Sequence, residues 1–216
     1  MINNELKKRI YTSLGLFIIT ILMIRFNTVL VFNLIILGVI SVVEFLDITK
    51  KIIKSKLYFF ISNLIFINYV FIFCFMFFFF SNFLELKIIL FILLLSCISS
   101  DIGGFVFGKI FKGPKLTSIS PNKTINGAIG SIIFTIIVSI SLFFYFTKHF
   151  NFKILFIALL ISIACQIGDI FFSYLKRKAK IKDTGNFLPG HGGVLDRLDG
   201  IFFGVPLGFI LLTLFY

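Results

Sequence analysis

The chain has 216 residues, of which 59% are hydrophobic and 14% are charged, and its mean hydropathy is +1.10. Soluble domains are about 45–50% apolar, so this composition excludes an ordinary water-soluble fold and indicates an integral membrane protein. The formal net charge is +12. In so apolar a chain, basic residues usually mark loops and lipid headgroups at one membrane face, so nucleic acid is not an expected partner.

Seven apolar segments are interpreted as membrane-spanning helices, because a bilayer core requires about 20 apolar residues of helix. They are residues 10–24, 28–46, 57–80, 84–103, 125–146, 152–175 and 201–216. The predicted fold class is therefore all-α, a polytopic transmembrane bundle of seven spans that forms one integral membrane domain over residues 1–216. The first apolar run has no small-residue cleavage site after it and is expected to be retained as a span.

The basic residues fall unevenly on the two sides of this arrangement. Of the 21 lysines and arginines, all but Arg25, Lys87, Lys148 and Lys153 lie on one side. Because basic loops stay in the cytoplasm, the N-terminus is predicted to be cytoplasmic, and the expected location is the cytoplasmic (inner) membrane. Residues 1–95 then form N-terminal spans, and residues 96–216 form a functional region with cytoplasmic loops 104–124 and 176–200.

The loop 104–124 places hydroxyl and ammonium donors just before a helix. Ser120, Lys123 and Thr124 precede a helix that is predicted to begin near Ile125. Helix N-termini attract anions, so these residues are candidates for a phosphate site. The alternative is that Ser120 or Thr124 only caps the helix, and this loop alone does not decide between the two. The glycine spacing before Lys123 excludes a P-loop.

Asp169 lies inside the sixth apolar segment, where an ionisable side chain is costly and usually functional. At helical spacing it belongs to a polar stripe made of Gln166, Asp169, Ser173 and Lys176. The stripe is predicted to point into the bundle. The alternative is an Asp169–Lys176 ion pair that only orients helices.

The loop 176–200 contains many basic residues together with several aspartates. Its basic run, Lys176 to Lys182, is by itself typical of a topology signal or a headgroup contact. Asp196 and Asp199 can share a helix face and add a carboxylate pair to Asp169. Carboxylates beside lysines and arginines indicate hard divalent cations that bridge phosphates. His191, among glycines, is interpreted as a phosphate-contacting or loop-ordering residue, with a general base as the alternative.

The segment from Ser173 to Asp199 resembles the signature of the phosphatidate cytidylyltransferases, the CDP-diacylglycerol synthases. It reads SYLKR, four further residues, and then KDTGNFLPGHGGVLDRLD, with every signature position filled. Upstream, Ser120-Pro-Asn-Lys-Thr with Gly127 looks like a second landmark of that family, and Asp101 with Gly108 looks like a third. The resemblance covers residues 95–216.

The chain also departs from the family pattern at several positions. Ile125 and Asn126 stand where an aromatic and an acidic residue are often found, Gly104-Phe105 stands where Ala-Tyr is common, and Lys109 replaces an arginine. The N-terminal half is shorter than usual. These departures bear on the nucleotide pocket and the number of helices, and they leave the implied reaction class unchanged.

The resemblance implies that CTP and phosphatidate react to give CDP-diacylglycerol and diphosphate. It implies Asp169 and Asp196 as ligands of Mg²⁺, with Asp199 in support and with a second metal ion left open. The implied catalytic and phosphate-holding residues are Lys123, Lys176, Arg177, Lys182, Asp183, His191 and Arg197. Asp101, Ser120 and Thr124 are assigned to the nucleotide. The implied partners are CTP, phosphatidate and membrane lipids, and a homodimer is left open.

Two other functions fit parts of the sequence. A CTP-dependent polyprenol or phytol kinase belongs to the same broad class, but the complete signature argues against it. A transporter or channel is expected to carry intramembrane charges across several spans, whereas the middles of the first, third, fifth and seventh apolar segments carry none.

Overall fold

The computed structural model describes residues 4–149, 151–190 and 192–215, with the side chains of residues 4–6 and 8–10 outside the description. Over these residues the chain forms seven α-helices and no β-strand. They are α1 (Asn4–Arg25), α2 (Asn27–Ile52), α3 (Lys56–Ser81), α4 (Leu84–Phe111), α5 (Ile125–Thr147), α6 (Phe152–Lys178) and α7 (Leu195–Phe215).

The predicted all-α membrane fold is confirmed. Six helices, α2 to α7, are long and apolar enough to cross a membrane, and α1 contains a shorter apolar part, Tyr11–Arg25. Each predicted apolar segment coincides with one helix. The cytoplasmic position of the N-terminus stays a prediction, because helix length and composition do not determine direction.

The two predicted cytoplasmic loops are shorter than expected. Helix α4 continues to Phe111, so the first part of loop 104–124 is helical, and the loop 176–200 is helical at both of its ends. The fourth apolar segment was predicted to end at residue 103, but membrane helices tolerate glycine where another helix packs closely, and α4 continues past Gly104 and Gly108. The helix ends instead where Lys112 and Gly113 take positive φ angles of 49° and 113°, immediately before Pro114.

The helices divide into two compact units. The first unit comprises Met1–Lys87 and Leu175–Leu198, and the second comprises Ile88–Tyr174 and Asp199–Tyr216. Helices α6 and α7 therefore each contribute residues to both units. The expectation of one functional membrane domain over the whole chain stays a prediction.

In the first unit, α2 packs against α3 through an aromatic and a polar contact. The ring of Phe45 stacks on that of Phe66 with 3.9 Å between centroids. One turn further along α2, the buried hydroxyl of Thr49 donates to Asn63 Oδ1 at 3.0 Å. A polar pair of this kind avoids an unsatisfied group inside an apolar helix pair and fixes the register of the two helices.

In the second unit, small residues let α4 approach α5 and α6 closely. A Cβ on Gly127 would lie 2.8 Å from the carbonyl oxygen of Gly104, so α5 could not keep this distance with any larger residue there. Buried serine hydroxyls link the same helices: Ser96 bonds Ser139 at 2.8 Å, and α4 bonds α6 through Ser100 and Ser162 at 3.1 Å. These contacts hold the beginning of α5 next to α4.

The predicted orientation can be tested by labelling single cysteines in intact cells, in a background without the three native cysteines. The cytoplasmic positions are Lys54, Lys115 and Asn186, and the opposite positions are Asn82 and His149, all exposed. We expect a membrane-impermeant thiol reagent added outside to label only the second set, because basic loops stay inside. Reversed labelling would overturn the orientation, and mixed labelling within a set would overturn the number of spans.

Candidate functional site

The second unit contains an ion pair between Lys123, which precedes α5, and Asp169 of α6. The distance from Lys123 Nζ to Asp169 Oδ2 is 2.7 Å, and the two side chains are 29% and 22% exposed. The partner of Asp169 is thus Lys123 rather than Lys176, which the alternative interpretation required. The pair uses one carboxylate oxygen, and Oδ1 of Asp169 has no hydrogen-bond partner among the described residues.

The backbone around Lys123 is fixed on both sides. Its N–H donates to the carbonyl of Ser120 at 3.0 Å, and its carbonyl accepts from Leu116 N–H at 2.8 Å. Thr124 is the N-cap of α5, where its hydroxyl oxygen accepts from Gly127 N–H at 3.1 Å. The capping role proposed as the alternative for Thr124 is therefore observed. A phosphate role for Ser120, Lys123 and Thr124 stays a prediction.

Asp169 and Asp199 meet at one contact between α6 and α7 in the second unit. A Cβ on Gly168 would collide with the carbonyl oxygen of Asp199. A Cβ on Gly200 would lie 3.5 Å from Asp169 Oδ1. The Asp199 side chain is 8% exposed and accepts from Gly200 N–H at 2.9 Å. Glycine on α6 thus allows the helix approach that brings the two carboxylate-bearing residues together.

Asp101, by contrast, lies on α4 with an exposed side chain.

In the first unit, Asp196 joins the end of α6 to the beginning of α7. Its Oδ1 accepts from Lys176 Nζ at 2.6 Å, and the two side chains are only 8% and 13% exposed. Its Oδ2 accepts from Thr184 N–H at 2.8 Å and from Gly193 N–H at 3.1 Å, and it also lies 3.1 Å from the Thr184 hydroxyl oxygen. Such charge-assisted bonds are stronger than neutral ones, so Asp196 organises this loop.

A tight turn lies between these contacts. Leu188 and Gly192 exchange two backbone hydrogen bonds of 2.9 and 3.2 Å. Gly190 and Gly192 have φ angles of 75° and 84°, in the left-handed region that glycine adopts without a steric penalty. His191 lies outside the described residues, so its predicted role stays a prediction.

The remaining predicted site residues of the first unit lie on its surface. Exposed side chains are those of Arg177, Lys182, Asp183 and Arg197. Three of these are cations, so the surface is suited to phosphate groups of lipids or nucleotides. No described distance assigns any of them to a particular phosphate.

A bound Mg²⁺ would need carboxylates that can still accept a ligand. Among the described residues, no group of three or more His, Cys, Asp or Glu side chains could hold an ion. Mg²⁺ is commonly bound through one or two carboxylates together with substrate phosphates, so single aspartates can suffice. Asp169 fits this requirement through Oδ1. Asp196 uses both oxygens for protein donors and would have to exchange one of them. Metal ligation by either residue stays a prediction.

Sequence analysis missed Glu44 of α2, a carboxylate only 6% exposed. Its Oε1 accepts from Val194 N–H at 3.0 Å, and its Oε2 accepts from Leu195 N–H at 2.8 Å and from the Thr184 hydroxyl at 2.7 Å. The signal available in the sequence was an acidic residue inside the second apolar segment. It stands two residues before the predicted end of that segment, where a charge looks like an ordinary interfacial residue.

The amino-acid sequence of this chain is similar to the sequences of known proteins. Residues 2–215 match the model of a family described as the Cytidylyltransferase family. A phosphatidate cytidylyltransferase of Staphylococcus haemolyticus (strain JCSC1435) is 44% identical over 115 residues, which are 52% of this chain and 44% of the relative. One of Helicobacter pylori (strain ATCC 700392 / 26695) is 45% identical over 113 residues, which are 52% of this chain and 42% of the relative. The matched segments thus cover less than half of either relative.

The close approach of α6 and α7 can be tested with a glycine substitution. We expect Gly168→Ala to lower the melting temperature of the detergent-solubilised protein, because its Cβ would meet the backbone oxygen of Asp199, and overpacking costs about 1–3 kcal/mol. The matched control is Gly15→Ala in α1, where a Cβ has no neighbour within 4 Å. Alanine is the better helix former, so the control should be neutral or stabilised. Equal melting temperatures for the two variants would contradict the described packing.

Proposed function

We propose a specific reaction for this chain, which belongs to the cytidylyltransferase family: transfer of a cytidylyl group from CTP to phosphatidate. The resemblance drawn from the sequence is confirmed by the family match and by relatives named phosphatidate cytidylyltransferase. The observation that carries the proposal is the Lys123–Asp169 ion pair. This pair supports the proposal because it joins a cation suited to phosphate and a carboxylate suited to a metal ion, next to the beginning of a helix.

The proposed chemistry is an in-line displacement at phosphorus. An anionic oxygen of the phosphatidate phosphate attacks the α-phosphorus of CTP and forms a new P–O bond. The bond from the α-phosphorus to the bridging oxygen of the β-phosphate breaks, and diphosphate leaves with that electron pair. Because the nucleophile is already an anion, no strong general base is required. Repulsion between two polyanions is the main obstacle, so catalysis rests on positioning and electrostatic stabilisation.

Lys123 is proposed to exchange its partner when CTP binds. Its ammonium group leaves Asp169 Oδ2 and takes a phosphate oxygen next to the N-terminus of α5, where the helix macrodipole favours anions. Both oxygens of Asp169 are then available to hold Mg²⁺. A bound Mg²⁺ would neutralise phosphate charge during the transfer. In the absence of nucleotide, the ion pair keeps the two opposite charges from being desolvated alone.

The exposed cations of the first unit are proposed to receive phosphate groups at the membrane surface. Arg177, Lys182 and Arg197 offer charge there, while Lys176 is held by Asp196. Basic residues beside membrane helices are typical of the cytoplasmic face. We therefore propose that the lipid phosphate arrives laterally in the cytoplasmic membrane and that CTP arrives from the cytoplasm.

Substitution of Asp169 tests both the reaction and the metal assignment. We expect Asp169→Asn to lower turnover at least about 100-fold, equivalent to about 2.7 kcal/mol, because it removes the charge that would hold Mg²⁺. The assay follows CTP labelled at the α-phosphorus into a lipid-soluble product, with and without magnesium. The matched control is Glu85→Gln, an exposed carboxylate in the first turn of α4.

The position of the label decides between cytidylyl transfer and the kinase alternative. Lipid product labelled from the α-phosphorus supports the proposal, and product labelled only from the γ-phosphorus would indicate a CTP-dependent kinase. Turnover near that of the wild type in a well-expressed Asp169→Asn variant would contradict the assignment of Asp169 as a metal ligand.

A lysine substitution separates nucleotide binding from helix capping. We expect Lys123→Ala to raise the KM for CTP or lower turnover about tenfold or more, since a charge-assisted phosphate contact contributes about 1.5–3 kcal/mol. The KM for phosphatidate should change little, and Lys123→Arg should recover part of the loss. Lys115→Ala, which removes an exposed lysine of the same loop, is the control. An unchanged CTP profile in Lys123→Ala would leave the loop as a structural cap only.

A further inference from the structure

The Glu44 carboxylate is buried in the first unit and points at the N-terminus of α7. A helix begins with backbone N–H groups that have no intrahelical partner. Two of these, at Val194 and Leu195, donate to Glu44 at 3.0 and 2.8 Å. Glu44 of α2 therefore caps the N-terminus of α7, the end at which the helix macrodipole favours negative charge.

Two glycines of the loop between α6 and α7, Gly185 and Gly193, lie close to the Glu44 carboxylate. A Cβ on Gly185 would lie 2.5 Å from Glu44 Oε1, and a Cβ on Gly193 would lie 2.6 Å from Oε2 and 2.7 Å from Oε1. Neither glycine has a φ in the left-handed region. The backbone conformation therefore does not require glycine at these positions. The space for a Cβ is taken by Glu44 at Gly185, and by Glu44 together with the Thr184 hydroxyl at Gly193.

Thr184 connects Glu44 to Asp196, the carboxylate that holds Lys176. Its buried hydroxyl lies 2.7 Å from Glu44 Oε2 and 3.1 Å from Asp196 Oδ2. Its backbone N–H also donates to Asp196 Oδ2 at 2.8 Å, and Asp196 in turn holds Lys176. A continuous hydrogen-bonded chain thus runs from α2 through the loop to the cation at the end of α6.

Packing alone does not explain a carboxylate at this position. A buried carboxylate is costly to desolvate, and an apolar side chain of similar volume would fill the space with less cost. What the carboxylate adds is three accepted hydrogen bonds with fixed directions. Those bonds determine where the loop from Thr184 to Leu195 lies, and with it the Asp196 carboxylate.

We propose that Glu44 is a positioning residue for cytidylyl transfer, which holds the Thr184–Leu195 loop so that Asp196 and Lys176 keep the neighbouring exposed cations in a fixed arrangement toward the substrate phosphates. This inference rests on the proposed function. Glu44 acts through Thr184 and Asp196 and does not itself contact substrate. Its loss should therefore lower kcat more than it raises either KM.

The kinetic test uses Glu44→Gln, which keeps the side-chain volume but loses acceptor capacity. We expect kcat to fall about tenfold or more and both KM values to stay within about twofold, in protein that remains monodisperse in detergent. Thr184→Val removes the linking hydroxyl at similar volume, and the double variant should lose little more than the stronger single one. The matched control is Asp47→Asn, an exposed carboxylate three residues further along α2, which should retain wild-type kinetics.

A structural measurement makes the inference testable without activity. Hydrogen exchange followed by mass spectrometry should show that Glu44→Gln speeds exchange of the amides from Thr184 to Leu195 about tenfold or more, while amides in the middle of α5 are unaffected. Asp47→Asn should leave both regions unchanged. A structural role limited to general stability would speed exchange in both regions equally.

The outcomes separate the two proposals. If the wild type forms no lipid-linked cytidylyl product, the proposed function fails, and the exchange measurement alone decides whether Glu44 holds the loop. If the wild type is active, wild-type kcat in Glu44→Gln would overturn the inference. Strict additivity with Thr184→Val, or unchanged exchange from Thr184 to Leu195, would overturn it as well.

Discussion

A charged side chain on a helix that crosses a bilayer has to be paired, because an isolated ion is strongly disfavoured in hydrocarbon. This constraint determines where the aspartates of the present chain lie. Asp169 is paired with Lys123 within the second unit, and Asp196 is paired with Lys176 within the first. Asp169 of α6 is paired with a residue of the loop before α5, and Asp196 of α7 is paired with a residue of α6. Each carboxylate therefore takes its partner from a different segment of the chain.

Ion pairs of this kind also allow charged side chains to remain ionised in a membrane protein until a ligand of the same charge as the partner replaces that partner. Removing one partner of a desolvated pair is costly, whereas exchanging it for another ion of the same sign is not. In the proposed reaction, a triphosphate that approaches Lys123 would offer this exchange, and a divalent cation would offer it to Asp169. The second pair differs, because Asp196 also accepts hydrogen bonds from the backbone N–H groups of Thr184 and Gly193. It is therefore better suited to holding a loop in place than to changing partners.

Sequence reasoning worked best where one physical effect dominates. Apolar run length predicted each helix, because a bilayer core leaves few alternatives for a long apolar segment. The fourth segment was predicted to end at residue 103, whereas α4 continues to Phe111, because Gly104 and Gly108 allow the close approach of α5. Asp169 and Lys123 were each identified, but their pairing joins positions 46 residues apart and follows only from packing. Glu44 was missed for the same reason: its partners lie 140 to 151 residues later in the chain.

That separation has a consequence for how the protein is made. Helix α2 enters the membrane while Thr184, Val194 and Leu195 have not yet been synthesised. At about 5–20 residues per second, the ribosome needs on the order of ten seconds to produce the 140 residues between Glu44 and Thr184. During this interval the carboxylate needs water, lipid headgroups or a chaperone as substitute partners. Glu44 lies near the C-terminal end of α2, within reach of the membrane–water interface, so its carboxylate can stay hydrated there until its partners are synthesised.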